Sequence, residues 1–457
     1  MTNICFVSNF HKTYFFEEVA LELKNKDYNI FWLCFERKML IHLEKKFPSE
    51  NILLLSRNSI ENKPKKIADF KLNELVNGDR FLRHQTDWAY QYLIRIQQPV
   101  LNFIKEKKIN FIFGEVTHAH EILIHRLVNR FKELNCKYLH PQSVRIPNKR
   151  FFFLEDEFQA EIFNDDKIHN DNWEVELETI VAVRPRRVAQ VDSDVKKELS
   201  VSGKFDRLKR FFTQENISKD LPSVIENRKK RSKIALKEEF NKLTYRFVKT
   251  ADESILNNKK FVVYTLHMQP EASVDVVGVY YDDQLRNIKN IWRILPDEWY
   301  IVIKEHSNAI GNRSYSFFKE FLKLRNSILL NEKVDSHLII DKAEAIFSVS
   351  GTIAYEAALK GKYSFTFANI FFNKLKNCLK ITLDDFRNIG SINELFDILK
   401  ERNEEKLSIP EYSEYLYQRS YNGIVDAPVN SVDWHDQDNI KVVSESFNVF
   451  LNKFGTR

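Results

Sequence analysis

The feature that most constrains this chain is the alternation of short apolar runs with amphipathic segments. Residues 4–7 and 30–35 are apolar runs, and an amphipathic segment at 15–26 separates them. Runs of this length are typical of buried strands, and the segment between them has helical spacing. The same order recurs from residue 109 to residue 140. Strands that alternate with helices form parallel sheets covered on both faces, so the pattern predicts an α/β fold.

The alternation weakens after residue 150 and returns at residue 260. Apolar runs at 260–266, 299–304 and 345–349 predict strands, with helical spacing between them. Two such stretches predict two Rossmann-like domains facing a central crevice, with the ligand outside the carboxyl ends of the strands. The predicted parts are a first domain at 1–150, a mostly helical insertion and connection at 151–255, a second domain at 256–410, and a segment at 411–457 that crosses back to the first domain.

The glycine content excludes several kinds of phosphate site. Only ten of the 457 residues are glycine, whereas about 7% is usual. The closest pair, Gly351 and Gly361, is ten residues apart. The chain therefore contains neither a G-x-G-x-x-G dinucleotide loop nor a Walker A loop, because both need glycines at short spacing.

Charge, cysteine spacing and hydropathy indicate which ligands the chain can bind and where in the cell it is expected. The 70 basic and 64 acidic residues give a formal charge of +6, too small for this length to indicate nucleic-acid binding but compatible with an anionic ligand or an anionic inner-membrane surface. The four cysteines are scattered, which indicates neither a zinc site nor a disulfide framework. No apolar run reaches the ~18 residues of a membrane span, and the N-terminus does not resemble a signal peptide. We therefore expect a cytoplasmic protein whose membrane contact, if any, is peripheral.

The most informative segment runs from Ala345 to Gly361. An apolar strand ends in Ser348-Val349-Ser350-Gly351-Thr352, and an alanine-rich helix begins there and stops at Gly361. Free N–H groups at a helix N-terminus bind phosphate, so Ser350, Gly351 and Thr352 are a candidate phosphate cradle. Glu356, one turn later, is placed to bind a ribose diol. The alternative is an ordinary helix cap.

Two more predicted strands of the second half end in polar side chains. Lys304, Glu305 and His306 end one strand, where a lysine and a histidine could hold a departing phosphate. The other strand leads into Leu266-His267-Met268-Gln269-Pro270-Glu271-Ala272-Ser273, in which Pro270 places Glu271 in a loop. Each segment alone is also compatible with a solvated loop. Together with the 345–361 segment they predict one site at the carboxyl edge of the sheet.

The first half offers a carboxylate and a basic loop. Glu115 directly follows a predicted strand and is a candidate general acid or base. The nearby run of His118, His120 and Glu121 suggests a metal only weakly, because it has no fixed partner elsewhere, and we expect no metal. The loop that contains Arg145, Lys149 and Arg150 is a candidate binding site for an anionic acceptor; its alternative is a solvated loop.

These segments resemble the capsule polysaccharide biosynthesis family of bacterial glycosyltransferases. That family includes the Kdo (3-deoxy-manno-octulosonic acid) transferases and is similar in architecture to the bacterial GT-B sialyltransferases. The resemblance rests on 266–273, on Val302-Ile303-Lys304-Glu305-His306, and on 348–352 with Glu356 and Gly361. It covers residues 260–370 well, the first 150 residues loosely and the middle hardly at all. Ser307 stands where the family usually has proline.

The resemblance implies a GT-B fold and a CMP-activated sugar donor. It implies that the first domain binds the acceptor and that the second domain binds the nucleotide sugar. The CMP phosphate would be held by His306, with Lys304 nearby, and by Ser350 and Thr352. The ribose would be held by Glu356. The remaining donor-site candidates are Gly351 and His267.

The chemistry expected of a CMP-linked 2-keto-3-deoxy sugar acid fits these residue types. Such a donor already carries its leaving group, so the protein must supply charge stabilisation and a carboxylate at the anomeric centre. Neither a metal nor another cofactor is expected. Some members of the resembled family retain anomeric configuration through a carboxylate nucleophile. Glu271 is the candidate nucleophile and Glu115 the candidate base, although the two could be exchanged.

Two other functions are compatible with the sequence. One is a GT-B-fold glycosyltransferase or epimerase that uses a UDP-linked sugar, which would need a diphosphate site. The other is a non-catalytic scaffold on the inner membrane, with the basic runs 184–187 and 228–233 binding anionic lipid. The expected partners of the favoured transferase are the CMP donor, an oligosaccharide or lipid-linked glycan acceptor and an anionic membrane surface, without nucleic acid. The sequence does not reveal the sugar acid, the acceptor or the linkage.

Overall fold

The structure of the chain is a computed structural model. It describes residues 2–10, 12–59, 66–144, 147–163, 167–168, 220–425 and 436–455. Arg145, the basic run 184–187 and most of the predicted insertion at 151–255 lie outside the described residues.

Among the residues that the structure describes, the first half is built on a seven-stranded sheet. Its strands are β1 (Asn3–Val7), β2 (Asn29–Cys34), β3 (Ile52–Leu54), β4 (Phe111–Phe113), β5 (Lys137–Val144), β6 (Arg150–Leu154) and β13 (Tyr421–Asn422). They lie in the order β13-β6-β5-β4-β1-β2-β3. The first five strands in sequence are parallel, whereas β6 pairs antiparallel with β5 and β13 pairs antiparallel with β6. The predicted domain limit at residue 150 thus falls at the first residue of β6.

Helices cover both faces of this sheet because its strands are apolar on both sides. The α-helices that precede residue 150 are α1 (Lys12–Lys24), α2 (Arg37–Leu43), α3 (Leu72–Gly78), α4 (Thr86–Glu106) and α5 (Ala119–Arg130). In β1, Cys5 and Val7 pack with α3, α4 and α5, and Ile4 and Phe6 pack with α1 and α2 on the opposite face. This two-sided burial is typical of parallel sheets.

The second half contains a six-stranded parallel sheet. Its strands are β7 (Phe261–Thr265), β8 (Tyr300–Lys304), β9 (Ser327–Leu330), β10 (Ala345–Ser348), β11 (Tyr363–Thr366) and β12 (Cys378–Lys380), in the order β12-β11-β10-β7-β8-β9. The α-helices described between residue 220 and residue 402 are α6 (Arg228–Tyr245), α7 (Ala272–Asp275), α8 (Gln284–Arg293), α9 (Tyr315–Leu322), α10 (Ser336–Lys342), α11 (Thr352–Leu359), α12 (Leu383–Asn388) and α13 (Ile392–Arg402).

The strand order reverses once in each half, as it does in Rossmann-like folds, where this reversal marks the ligand site. In each half the chain runs outward over three strands and then crosses back to the other side of the first one. The reversal lies between β1 and β4 in the first sheet and between β7 and β10 in the second. Ligands of open parallel sheets bind at this point, outside the carboxyl ends of the strands. The prediction of an α/β protein with two Rossmann-like domains is therefore confirmed.

The C-terminal residues pack on the first half. They form α14 (Ile409–Arg419), β13 and α15 (Gln437–Phe454). β13 pairs with β6, and α15 buries Phe447 and Phe450 against the aromatic side chains of β4 and β6.

The two halves also share an apolar cluster. Val144 and Phe152 of the first sheet pack there with Tyr355 and Ala358 of α11 and with Tyr412 of α14. The helix that carries the candidate phosphate cradle is therefore held directly against the first domain.

Candidate functional site

The chain reversal of the second sheet brings His267 and Ser348 together. His267 follows β7 and Ser348 ends β10, and the imidazole Nε2 lies 2.9 Å from the Ser348 hydroxyl oxygen. Nε2 also accepts the Val349 backbone N–H at 3.2 Å. A nitrogen that accepts an N–H carries no proton, so the neutral ring is protonated at Nδ1. Burial lowers the pKa of His267 to about 3, and the nearby charges of His306 and Arg313 act in the same direction. The ring is thus a fixed neutral dipole.

Gly351 shapes the turn between β10 and α11. It is the N-cap residue of α11, and its N–H donates to the Ser348 hydroxyl at 3.1 Å. A Cβ atom at residue 351 would lie 2.5 Å from the Ser348 hydroxyl oxygen and 3.0 Å from His267 Cε1. Only glycine leaves this concavity open. Thr352 is the first residue of α11, and Glu356 is buried one turn later.

Glu271 is linked to the same turn. The Ser350 hydroxyl donates to the Ser273 carbonyl at 2.6 Å, and the Ser273 hydroxyl donates to Glu271 Oε2 at 2.9 Å. Burial raises the pKa of Glu271, while Ser273 and the Arg80 guanidinium of the first domain oppose that rise. The predicted phosphate cradle and the predicted nucleophile therefore belong to one hydrogen-bonded unit.

The end of β8 differs in part from the sequence prediction. The Lys304 ammonium donates to the Glu332 carbonyl at 3.0 Å, in the loop after β9, which directs it toward that loop. Glu305 is buried and forms a 2.6 Å ion pair with Arg313, whose guanidinium also donates to the His267 carbonyl. His306 presents an exposed ring whose Nδ1 accepts the Asn308 N–H at 3.2 Å. Lys304 and His306 were both predicted to hold the phosphate; of the two, His306 is the one that faces solvent.

Glu115 follows β4 at the reversal of the first sheet. Its carboxylate accepts hydrogen bonds from Lys12 and from the Asn9 side chain, each at 2.8 Å. Burial favours the neutral acid, but Lys12 and the nearby histidines outweigh it and lower the pKa of Glu115. Glu115 is therefore an ionised group held in place by its partners.

A second ionisable pair lies beside Glu115. His118 Nδ1 is 3.5 Å from a carboxylate oxygen of Asp79. Burial opposes protonation of His118, but Asp79 outweighs it and raises the pKa of the imidazole. Asp79 also accepts the backbone N–H groups of Phe81, Leu82 and Ala119, which fixes the pair.

The histidine run does not form a metal site in the described part of the chain. His118 and His120 stack with ring centroids 5.5 Å apart, and burial lowers the pKa of His120 to about 3. The Glu121 carboxylate accepts the N–H groups of Thr117 and His118 as part of a capping box. No group of three or more metal-ligating side chains is assembled among the described residues.

An ion pair ties the two reversal points together. Arg83 donates to the Asp79 carbonyl at 3.2 Å, and its guanidinium reaches Asp275 of α7 at 3.1 Å. The same Asp275 oxygen accepts the Glu271 N–H at 3.0 Å. Gly78 permits this approach, because a Cβ there would lie 2.7 Å from the Asp275 carbonyl oxygen. Sequence reasoning missed Asp79, Arg83 and Asp275, because none of them belongs to a strand-end motif.

The predicted acceptor loop is only partly at a free surface. Lys149 is exposed in the turn between β5 and β6. Arg150, in contrast, is buried; its guanidinium stacks on the Tyr417 ring and donates to Ser420 and Asn422. Arg150 thus joins β6 to the C-terminal segment, and its role toward an acceptor stays a prediction. The sequence does not show that the strand it opens is paired with residues far along the chain.

No protein-family model matches the chain, and no curated protein matches it. The chain is similar to solved structures of KpsC from Thermosulfurimonas dismutans. The beta Kdo 2,7 transferase of that protein is 13% identical, with 93% of this chain and 92% of the other covered and a TM-score of 0.39. The beta Kdo 2,4 transferase is 12% identical, with 69% and 82% covered and a TM-score of 0.34. UDP-GlcNAc 2-epimerase from Neisseria meningitidis is 13% identical, with 98% and 100% covered and a TM-score of 0.23.

These TM-scores are below 0.5, so the assignment of the architecture rests on the strand order of the two sheets. The two Rossmann-like domains meet near their chain reversals, which the Arg83–Asp275 ion pair joins. This architecture is GT-B-like. No helix among the described residues is long and apolar enough to cross a membrane.

Proposed function

We propose that this protein transfers a 2-keto-3-deoxy sugar acid, either Kdo or a sialic-acid-like nonulosonic acid, from its CMP-activated donor to a growing bacterial surface polysaccharide of the capsule or lipopolysaccharide type. The observation that carries the proposal is the convergence of two strand-end motifs. His267 and Glu271 of the 266–273 motif and the turn at 348–351 lie in one hydrogen-bonded unit at the chain reversal of the second sheet. These are two of the three motifs on which the resemblance to the capsule family rests.

In the proposed donor site, the CMP phosphate lies at the N-terminus of α11. The N–H groups of the first turn and the dipole of the helix stabilise negative charge there. Gly351 provides the space, the Thr352 hydroxyl donates to the phosphate, and His306 contributes a solvent-facing imidazole. Glu356 binds the ribose. These groups stabilise departing CMP without a metal. Lys304 adds positive potential from the end of β8 rather than a direct contact.

The proposed reaction proceeds in two displacements. The Glu271 carboxylate attacks the anomeric carbon, the bond to the phosphate oxygen breaks, and CMP leaves with the electron pair. The acceptor hydroxyl then loses its proton to a base of the first domain and displaces Glu271, which regenerates the carboxylate. Burial raises the pKa of Glu271, and the Ser273 hydroxyl and the Arg80 guanidinium oppose that rise in favour of the ionised form that this chemistry requires.

The proposed base is Glu115, and the first domain offers His118 as a second candidate. Glu115 is ionised but its pKa is lowered by Lys12, which weakens it as a proton acceptor. The pKa of His118 is raised by Asp79, in a pair that resembles the carboxylate–imidazole unit of many general bases. Either group lies on the acceptor side of the crevice.

Nucleotide binding tests the donor. Thermal unfolding of the full chain is measured with CMP, UDP and GDP, followed by transfer assays with CMP-linked Kdo and CMP-linked sialic acid. We expect CMP alone to raise the unfolding temperature and one CMP-sugar to be consumed. Stabilisation by UDP without CMP would overturn the proposed donor in favour of the UDP-sugar enzymes, and binding of no nucleotide would favour the scaffold.

A further inference from the structure

Helix α6 exposes a stripe of large apolar side chains. Leu236, Phe240 and Leu243 are spaced by three or four residues, and Phe247 continues the same line just after the helix. Their exposed fractions are 71%, 65%, 49% and 79%. Four large apolar groups on one solvent-facing line form a contiguous patch, which typically marks an interaction surface.

The opposite face of α6 is already occupied. Asn241 is buried and donates to the Gly311 carbonyl at 2.9 Å, and Tyr245 packs on Phe318 with ring centroids 5.2 Å apart. The N-terminal end of the helix contacts the first domain, where Lys230 donates to the His84 carbonyl. α6 therefore contacts both domains through its buried face and its N-terminal end, and its apolar stripe faces outward.

Positive charge surrounds the stripe. Residues 228–249 contain nine basic and two acidic side chains, although the whole chain carries a formal charge of only +6. Lys229 and Lys233 continue the line of the stripe toward the N-terminus of α6, and Lys237 and Arg246 flank it; all four are exposed. The excess of basic groups is complementary to an anionic surface.

We propose that α6 and the turn that follows it bind the surface of an anionic lipid bilayer. Leu236, Phe240 and Phe247 enter the boundary between head groups and acyl chains, and the lysines at 229, 233 and 237 contact lipid phosphates. A helix with an apolar stripe and a basic rim lies in this interface, where apolar burial and electrostatic attraction act together. This inference is independent of the sugar that the crevice binds.

Vesicle co-sedimentation of the full-length protein tests the proposal. The vesicles are phosphatidylcholine alone or phosphatidylcholine with about 30% phosphatidylglycerol, whose negative charge attracts basic helices. We expect binding to the anionic vesicles only, weakened by salt. The triple variant Leu236→Ser/Phe240→Ser/Phe247→Ser should bind about tenfold more weakly or worse, because it removes the inserted apolar area. Lys229→Gln/Lys233→Gln/Lys237→Gln should also bind weakly, with a reduced salt dependence.

The matched control is Val442→Ser/Val449→Ser, which removes two exposed apolar side chains from α15, away from the basic cluster. It should bind like the wild type. Circular dichroism and the CMP thermal shift establish that each variant is folded, so a failed membrane test is distinguishable from a failed donor assignment. Absence of wild-type binding, equal binding to neutral vesicles, or full binding by the apolar triple variant would overturn the proposal. Self-association that the apolar variant abolishes would assign the stripe to a second copy instead.

Discussion

The two chain reversals use opposite chemistry at equivalent positions of the same fold. In the turn between β10 and α11 of the second sheet, the groups that meet are neutral: the Ser348 hydroxyl, the Gly351 N–H and an imidazole whose pKa is lowered to about 3. At the first sheet, they are charged pairs, Lys12 with Glu115 and Asp79 with His118. The shared topology fixes where a site can be, and the strand-end residues decide what it can do.

This difference suits a division of labour between the domains. Neutral N–H and hydroxyl groups at a helix N-terminus bind an anion without having to lose a proton or a counterion. Buried charged pairs, in contrast, hold titratable groups in place and set their pKa values, which proton transfer needs. This contrast supports the proposed assignment of the donor to the second domain and of the acceptor to the first, which the family resemblance implies.

The largest expected effect is that of Glu271→Gln. The amide keeps the size of the side chain but is not a nucleophile, so transfer should fall by about 10⁴-fold or more while CMP binding stays within about twofold. Steady-state transfer and the CMP thermal shift are the measurements. Glu344→Gln, at the opposite end of β10, is the matched control and should behave like the wild type. Near-normal turnover in Glu271→Gln would exclude it as the nucleophile.

The base of the first domain is tested by a pair of variants. Glu115→Gln should reduce the transfer rate by about 10³-fold without changing CMP affinity, because a general base is lost. If His118 is the base instead, His118→Gln gives the larger loss and removes the inflection that the imidazole contributes to the pH–rate profile. If both variants turn over as fast as the wild type, neither Glu115 nor His118 acts as the general base.

Gly351→Ala should act on donor binding alone. The added methyl group would lie 2.5 Å from the Ser348 hydroxyl oxygen, so the turn must shift and the phosphate loses part of its cradle. We expect CMP to bind about 30-fold more weakly, a change of about 2 kcal/mol. Titration calorimetry measures it, and Gly390→Ala, in a surface turn before α13, is the control. Unchanged CMP affinity would place the phosphate elsewhere.

The smallest effect is on the pH dependence of stability. Burial lowers the pKa of His267 to about 3, so the unfolded chain binds the extra proton between the folded value and the ordinary value near 6.5. The stability that the neutral ring contributes is present above pH ~6.5 and is lost as the pH falls toward 3, by about 1.4 kcal/mol per pH unit. His267→Asn should remove that slope from the unfolding free energy measured in urea between pH 6 and 5.

The matched control for this measurement is His337→Asn, a partly exposed histidine on α10. Glu121 has the opposite effect on the free energy of unfolding. Burial raises its pKa to about 7, so the stability that its protonated form contributes is lost as the pH rises from about 4.5 to 7. A slope in His267→Asn identical to the wild-type slope would show that the ring is not held neutral.

Much of the second domain could be predicted from local sequence. Strand-to-helix turns depend on neighbouring residues, so the apolar run at 345–348, the hydroxyls that follow it and Gly361 were enough to locate β10 and α11. Gly361 indeed adopts a positive φ of 73° just beyond the helix. His267 was singled out because it follows an apolar strand closely, and Glu271 because Pro270 places it in the loop after that strand.

Other residues of the site could not be predicted because their partners are remote in the sequence. Asp79 meets His118, Arg83 meets Asp275, and Arg150 meets Ser420. Lys304 was predicted to lie beside the phosphate, but its position in the strand gave no information about the loop after β9 to which its ammonium turns. Local periodicity does not report which distant elements a side chain contacts.

The sequence by itself determined the α/β class, the two-domain division and the polar strand ends, because each depends on hydrophobic spacing and turn chemistry within a few residues. Only the tertiary structure decided the order of the strands, and with it the two reversal points where those ends converge. It also decided that neutral groups meet in the β10–α11 turn while charged pairs meet at the reversal of the first sheet, and that the apolar stripe of α6 faces outward. Strand order and exposure are settled by long-range packing, in which every element competes for the same buried surface.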